Sequence, residues 1–548
     1  MKEGKSFSFR GNYPSIDGRK ALLRALSSIV VGAVVAAIAH YAQLFLSVPD
    51  VRIDVTVGLF TASIWLVIIN WKFLKENLEF LFVCMAVPIG LALVVLMPFI
   101  PEISWDGQIH FAKANCLSYI IDSEFSEADL LMADASAVEQ LGLLASGDIS
   151  SSWLPKQDAD TLSAARSMVE SLDNSHVLEY SGASSPYGDS YLSVTCFGYI
   201  PSAVGLWLGR LFHFSILGRL FIARICQLLF YIAVFFFSIA LLKKGKTIVM
   251  TLGLLITPLM LAVNFTYDVW GFALTVFSFS YYLGKLQTRS GSIDRFDWFT
   301  ILFSFLLATF VKAVNFPLAI IFLMTPKMSF HDDSLRRTRD GYVWLVILIL
   351  IMSFLLPLLF STATGTEKPD LRGGTTVSPS GQICYVFGAP FTYLGTMFSF
   401  TLSFFSRSPS RLFGSYFSYL FVSPTCLGVL SLAIAFGSCY CDNLNLNCLK
   451  NTGSWRAVAL LCIISAYVLA VSALYAAFTP VGASTVNGFQ ERYLLPYLVP
   501  LLLIVLNPGS RVRVHPLIKR HWNSVWVALE FLYAALYLYF GFISQYYG

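Results

Sequence analysis

Residues 79–99 read EFLFVCMAVPIGLALVVLMPF, and after Glu79 no charge appears until Glu102. A helix needs about 20 consecutive apolar residues to cross the hydrocarbon core of a bilayer. Anything less regular would leave backbone N–H and C=O groups unpaired in lipid, at several kcal/mol each. Working outward, similar runs recur near 21–46, 55–71, 219–242, 247–264, 269–286, 297–312, 314–328, 343–362, 414–438, 457–478, 493–508 and 523–545. The composition agrees: 13% of the 548 residues are charged and 56% are hydrophobic, where a soluble domain carries about 25% charge. Polar residues this scarce do not cover the surface of a water-soluble fold. The expected fold class is an all-α polytopic membrane protein with about 13 transmembrane helices.

Charge sets the expected orientation. Lys2, Lys5, Arg10, Arg19, Lys20 and Arg24 precede the first run, and basic residues stay cytoplasmic. No small-residue cleavage site follows that run, so it reads as an uncleaved anchor. Later basic clusters stand at Lys243–Lys246, Arg289–Arg295, Lys327–Arg339, Lys450–Arg456 and Arg511–Arg520. All fall on the inner side if the shorter apolar run 197–213, flanked by Arg210, Arg219 and Arg224, is re-entrant or surface-lying rather than crossing. The chain then divides into 1–98, the tail and first three spans; 99–213, a long outer loop and juxtamembrane helix; 214–361, central spans; 362–413, a second outer loop; and 414–548, the C-terminal spans. The net charge of +5 gives no reason to expect nucleic acid. Cys116 and Cys196 share the outer face and could pair in an oxidising exterior.

Ionisable residues at span ends mark candidate chemistry. Trp105-Asp106-Gly107-Gln108-Ile109-His110 opens the long outer loop. An acid there is partly shielded from water, which raises a carboxylate pKa toward that of a usable base; the plain alternative is a helix-capping Asp with a surface His. Asp268, in Asn264-Phe265-Thr266-Tyr267-Asp268, falls on the same side, so Asp106 and Asp268 could face one cavity; the plain alternative is a polar turn between helices. Lys312 is the one charge between Trp298 and Lys327; it either snorkels or neutralises a phosphate. Gln490-Glu491-Arg492-Tyr493 enters a span, and the planar fork of Arg492 suits phosphate oxygens. Cys439-x-Cys441 with Cys448 lacks a fourth ligand for a metal. No nucleotide-binding or hydrolase motif is present.

Taken in order, Trp105-Asp106…His110, Tyr199-Ile200-Pro201…Arg210…Arg224, Pro258…Tyr267-Asp268, Lys312 and Thr479-Pro480…Gly488-Phe489-Gln490-Glu491-Arg492-Tyr493…Pro496 resemble a bacterial family of predicted membrane proteins long labelled a domain of unknown function. That family is similar to the GT-C superfamily of integral-membrane glycosyltransferases. The resemblance spans about residues 95–545 and implies a GT-C-like bundle with its active site on the outer face of a bacterial cytoplasmic membrane. Such enzymes move a sugar from a polyprenyl-phosphate carrier to a glycan, lipid or protein acceptor in cell-envelope polysaccharide synthesis. The resemblance makes Asp106 the catalytic acid or base, with His110, Asp268, Lys312, Gln490, Arg492 and Tyr493 binding substrate. Members often carry Asp-Glu at the first motif; here Asp106-Gly107 lacks the second carboxylate, which leaves a single base. No cofactor is implied, and a divalent metal stays open. A transporter or flippase, or a polymerase or ligase, of lipid-linked sugars is the alternative.

Overall fold

The structure is a computed structural model and describes residues 18–45, 50–97, 107–120, 124–126, 177–179, 194–288, 293–330, 332–364, 374, 376–406, 416–417, 421–422, 424–441, 452–507 and 516–544. Within them the chain is nearly all helical. Two short antiparallel pairs are the exception: Glu124–Ser126 with Val177–Glu179, and Tyr416–Phe417 with Phe421–Val422.

Among the described residues six helices are long and apolar enough to cross a membrane: Gly18–Phe45, Val51–Ile69, Leu78–Leu96, Ile216–Leu241, Gly453–Phe478 and Trp522–Gly541. A seventh arises if Pro379–Gly388 and Pro390–Ser406, bent by 107° at their junction, count as one. The expected count of about thirteen is not confirmed, and among the described residues several of the apolar runs are shortened or broken. The run 247–264 divides into Lys246–Leu254 and Ile256–Ala262 around an extended Leu255 (φ −56°, ψ 136°). Pro258 has no N–H to return to the Leu254 carbonyl, so the helical ladder stops there. The run 314–328 is a 3₁₀ helix, Ala313–Met324, with Pro317 inside it. The run 493–508 is built from a 3₁₀ turn, a short α-helix and a π segment, with Pro496 and Pro500.

The run 197–213 forms a helix of 12 residues, Ile200–Leu211. That is about 18 Å of rise against a core of about 30 Å, too short to cross. Arg210 at its end stacks on Tyr119 at 3.7 Å and donates to the Ser118 carbonyl at 2.8 Å, and Arg219 donates to the Phe214 carbonyl at 3.0 Å.

One large core joins the central helices, with Phe82, Phe235, Phe272, Tyr282 and Phe322 fully buried in it. The helix Asp268–Leu286 orients the rest. At its last turn Lys285 pairs with Asp297 at 2.7 Å. Asp268 lies at the opposite end, about 26 Å away by helical rise. The basic end and the acidic end of this helix thus serve different surfaces of the bundle.

Candidate functional site

The turn that delivers Asp268 is held from within the core. Gln227 donates its side-chain amide to the carbonyls of Asn264 (3.0 Å) and Thr266 (2.8 Å), and Ser202 donates to Gln227. The Asp268 amide donates to Thr266 Oγ1 at 3.1 Å. The carboxylate then sits in the first turn of its helix, where the positive end of the dipole favours it.

Two cations from distant parts of the chain meet that carboxylate. Lys312, at the junction of helix Arg295–Phe310 with the 3₁₀ helix Ala313–Met324, pairs with Asp268 Oδ1. Arg492 Nε faces Asp268 Oδ2 at 3.0 Å. All three side chains are shielded from solvent, Arg492 at 7% and Asp268 at 5% exposure. Lys312 Nζ also stands 3.5 Å above the ring of Tyr493, a cation–π contact that strengthens as water leaves. The Gly488 turn sets the approach of this segment. Its φ is +79°, and a Cβ there would lie 2.6 Å from the ring of Phe478. A side chain at 488 would meet both penalties at once.

His110 closes another side. Its Nδ1 lies 2.6 Å from Tyr199 Oη, and its ring meets Tyr267 edge-on at 5.1 Å. Gly198 permits this packing, since a Cβ there would lie 2.4 Å from the Cβ of Tyr267. Burial, helped by the nearby Arg492 charge, pushes His110 down to about 3, so its imidazole is neutral at physiological pH. Where Tyr199 donates to Nδ1, Nε2 carries the proton.

Besides Arg492 Nε, which faces Asp268, the buried polar atoms here with no hydrogen-bond partner among the described residues are Arg492 Nη1, His110 Nε2 and Gln490 Oε1. Unmet buried groups cost about 1–3 kcal/mol each, more when charged. Among the described residues the cluster sets one carboxylate, Asp268, against two cations, Lys312 and Arg492. The free faces of the guanidinium and imidazole supply N–H donors of the kind an anion accepts from.

The structure therefore brings together His110, Asp268, Lys312, Gln490, Arg492 and Tyr493, the six substrate-binding candidates of the sequence. Asp106 lies outside the described residues. Of the two readings of Lys312, snorkelling does not hold, because its amine is paired with Asp268; Arg492 is paired with the same carboxylate, which leaves its other face for a ligand. Cys116 and Cys196 are both buried and remain thiols, so no disulfide joins them. Among the described residues no three His, Cys, Asp or Glu are grouped to hold a metal; Cys448 lies outside them. Sequence reasoning missed Gln227 and Thr266, single polar residues within or beside apolar runs. It also missed Glu530, a lone acid inside the run 523–545 that the rule for intramembrane charges would have flagged.

A family model described as "Predicted membrane protein (DUF2142)" matches residues 89–502. The chain belongs to the DUF2142 family. The match runs from the helix Leu78–Leu96 to the Gln490–Tyr493 segment, so every residue of the cluster lies within the DUF2142 region. No curated protein and no solved structure matches the chain.

Proposed function

We propose that this DUF2142 protein is a membrane glycosyltransferase of GT-C type, built on a bundle of about thirteen spanning and re-entrant helices. It moves a sugar from a polyprenyl-phosphate carrier to an extracytoplasmic glycan, lipid or protein acceptor. The observation that carries this reading is the burial of two cations against one carboxylate at Lys312–Asp268–Arg492, with the Arg492 Nη1 donor unmet among the described residues. A leaving lipid phosphate gains negative charge as the glycosidic bond breaks, and a preformed donor cluster stabilises that charge without reorganising. Asp268 holds the two cations in place and keeps them from repelling each other. His110, neutral and hydrogen-bonded to Tyr199, offers a donor or acceptor to a sugar or phosphate oxygen. Asp106, four residues before His110, supplies the base that accepts the proton of the acceptor hydroxyl.

Asp106→Asn tests the role of the base. Sugar transfer in membranes is expected to fall by about 10²–10⁴-fold, the usual contribution of general base catalysis, with protein level and melting temperature kept. Unchanged turnover would remove the residue on which the chemistry rests.

A second reading, translocation of a lipid-linked sugar, is favoured by one observation: Glu530 is a buried acid within a span, next to the broken helix Lys246–Ala262. Transporters place ionisable groups and broken helices at such depths. A transporter would move the labelled donor across liposomes with the Asp106→Asn variant as well as with the wild type.

A further inference from the structure

Glu530 stands near the middle of the span Trp522–Gly541 and is 2% exposed. Its carboxyl is met by uncharged donors alone among the described residues. The groups that lie against it are Thr251 and Trp526, and these are bonded to each other, Trp526 Nε1 donating to Thr251 Oγ1 at 2.9 Å. Tyr533, one turn further along and within electrostatic range, shares a hydrogen bond of 2.6 Å with Ser431. Each packed element therefore brings only uncharged groups. The helix Thr425–Cys441 brings Ser431. Lys246–Leu254 brings Thr251, and Ile256–Ala262 brings its first amide, 3.5 Å from Tyr533 Oη. Glu530's own helix brings Trp526 and Tyr533, the latter being the one titratable neighbour.

An ionised carboxylate with no cation beside it is expensive in a low-dielectric interior and neutralises in practice. Among the described residues no side-chain cation is at hand to do this. The neutralising charge must then come from a small cation that enters and leaves. The surroundings suit one. The helix breaks at Leu255, between Thr251 and Pro258, and the Leu254 carbonyl has lost the amide that Pro258 lacks. Unwound carbonyls at helix breaks, with a carboxylate and hydroxyls, are the ligands that membrane proteins offer to small monovalent cations. Thr257, in the same broken segment, adds a buried hydroxyl with no partner among the described residues.

We infer that Glu530 and the break between Lys246–Leu254 and Ile256–Ala262 form a binding site for a single monovalent cation, a proton or Na⁺. The site is separate from the Asp268 cluster and stands whether the protein transfers sugar or moves it.

Infrared difference spectroscopy of the purified full chain tests this, in sodium-free buffer titrated with alkali and then with NaCl, choline chloride serving as the ionic-strength control. The expected result is a protonated-carboxyl C=O band in sodium-free buffer that Glu530→Gln removes. Loss of that band on adding NaCl at constant pH, and not on adding choline chloride, identifies Na⁺. Loss only on raising the pH identifies the proton. Glu530→Gln keeps the volume and removes the charge, so its fold is expected to persist. Should it not fold, Glu530→Asp shifts the same band rather than abolishing it. A spectrum with no band sensitive to residue 530 and no response to NaCl would overturn the proposal.

Discussion

Asp268 is the residue on which the cluster turns. Removing one member of a buried ion pair leaves the partner charge uncompensated, a loss of roughly 3–5 kcal/mol. Here the loss strands two cations, Lys312 and Arg492. Asp268→Asn is therefore expected to lower the melting temperature in detergent far more than Lys312→Met, which leaves a balanced Asp268–Arg492 pair; equal shifts would contradict the triad. His110 gives a pH signature. Unfolded, it takes up a proton below about 6.5; folded, it stays neutral down to about 3. Between those values the unfolded chain binds the extra proton, so stability falls as pH drops through this window and levels off below it. The slope is at most about 1.4 kcal/mol per pH unit. Melting curves taken between about pH 7 and pH 5, within the range where histidine titrates, should show a steeper acid loss for the wild type than for His110→Gln. Parallel curves would mean that His110 is exposed or charged. These residue types were legible in the sequence, because Asp268, Lys312 and Arg492 interrupt apolar runs where an isolated charge is costly. Their pairing was not, since Asp268 and Lys312 are 44 positions apart and Arg492 is far later in the chain. Nothing local shows which cation meets which oxygen.

At the scale of elements, the site depends on close approaches that only small residues permit. The 3₁₀ turn Val194–Tyr199 presses against the Asn264–Asp268 turn at Gly198. Gly198→Ala would put a Cβ 2.4 Å from the Cβ of Tyr267, so one turn must move. The expected outcome is a protein that still inserts and purifies as a monodisperse particle but loses ligand binding and activity by at least about tenfold, the factor that 1.4 kcal/mol represents. Full activity would show that the two turns move freely relative to each other. Helix existence was easy to read from long apolar runs such as 79–99. Helix continuity was harder. Pro258, Pro317 and Pro500 each sit in a run that reads as one span, yet the chain breaks, tightens to 3₁₀ or widens to π at or beside them. Buried neighbours and hydroxyls such as Tyr533 take over the orphaned backbone groups, and that compensation is tertiary. The short helix Ile200–Leu211 was legible as an element, because residues 197–213 form an apolar run.

For the whole molecule, the architecture separates tasks. Lys285–Asp297 closes one end of the helix Asp268–Leu286, and the Asp268 cluster occupies the other. Between such ends lies an apolar body in which Glu530, 2% exposed, sits within a span. Membership in DUF2142 covers residues 89–502 and so encloses the cluster, while Glu530 lies beyond it. The central claim is that the cluster's two cations receive a phosphate on an isoprenoid chain. The most direct measurement is equilibrium binding of a short polyprenyl monophosphate and of the matching polyprenol to the purified protein and to Arg492→Ala. The account predicts that the wild type binds the phosphate at least about tenfold more tightly than the alcohol, a difference of 1.4 kcal/mol or more, and that Arg492→Ala erases this preference while binding the alcohol as before. Equal affinity for phosphate and alcohol in the wild type, or a preference that survives Arg492→Ala, would contradict it.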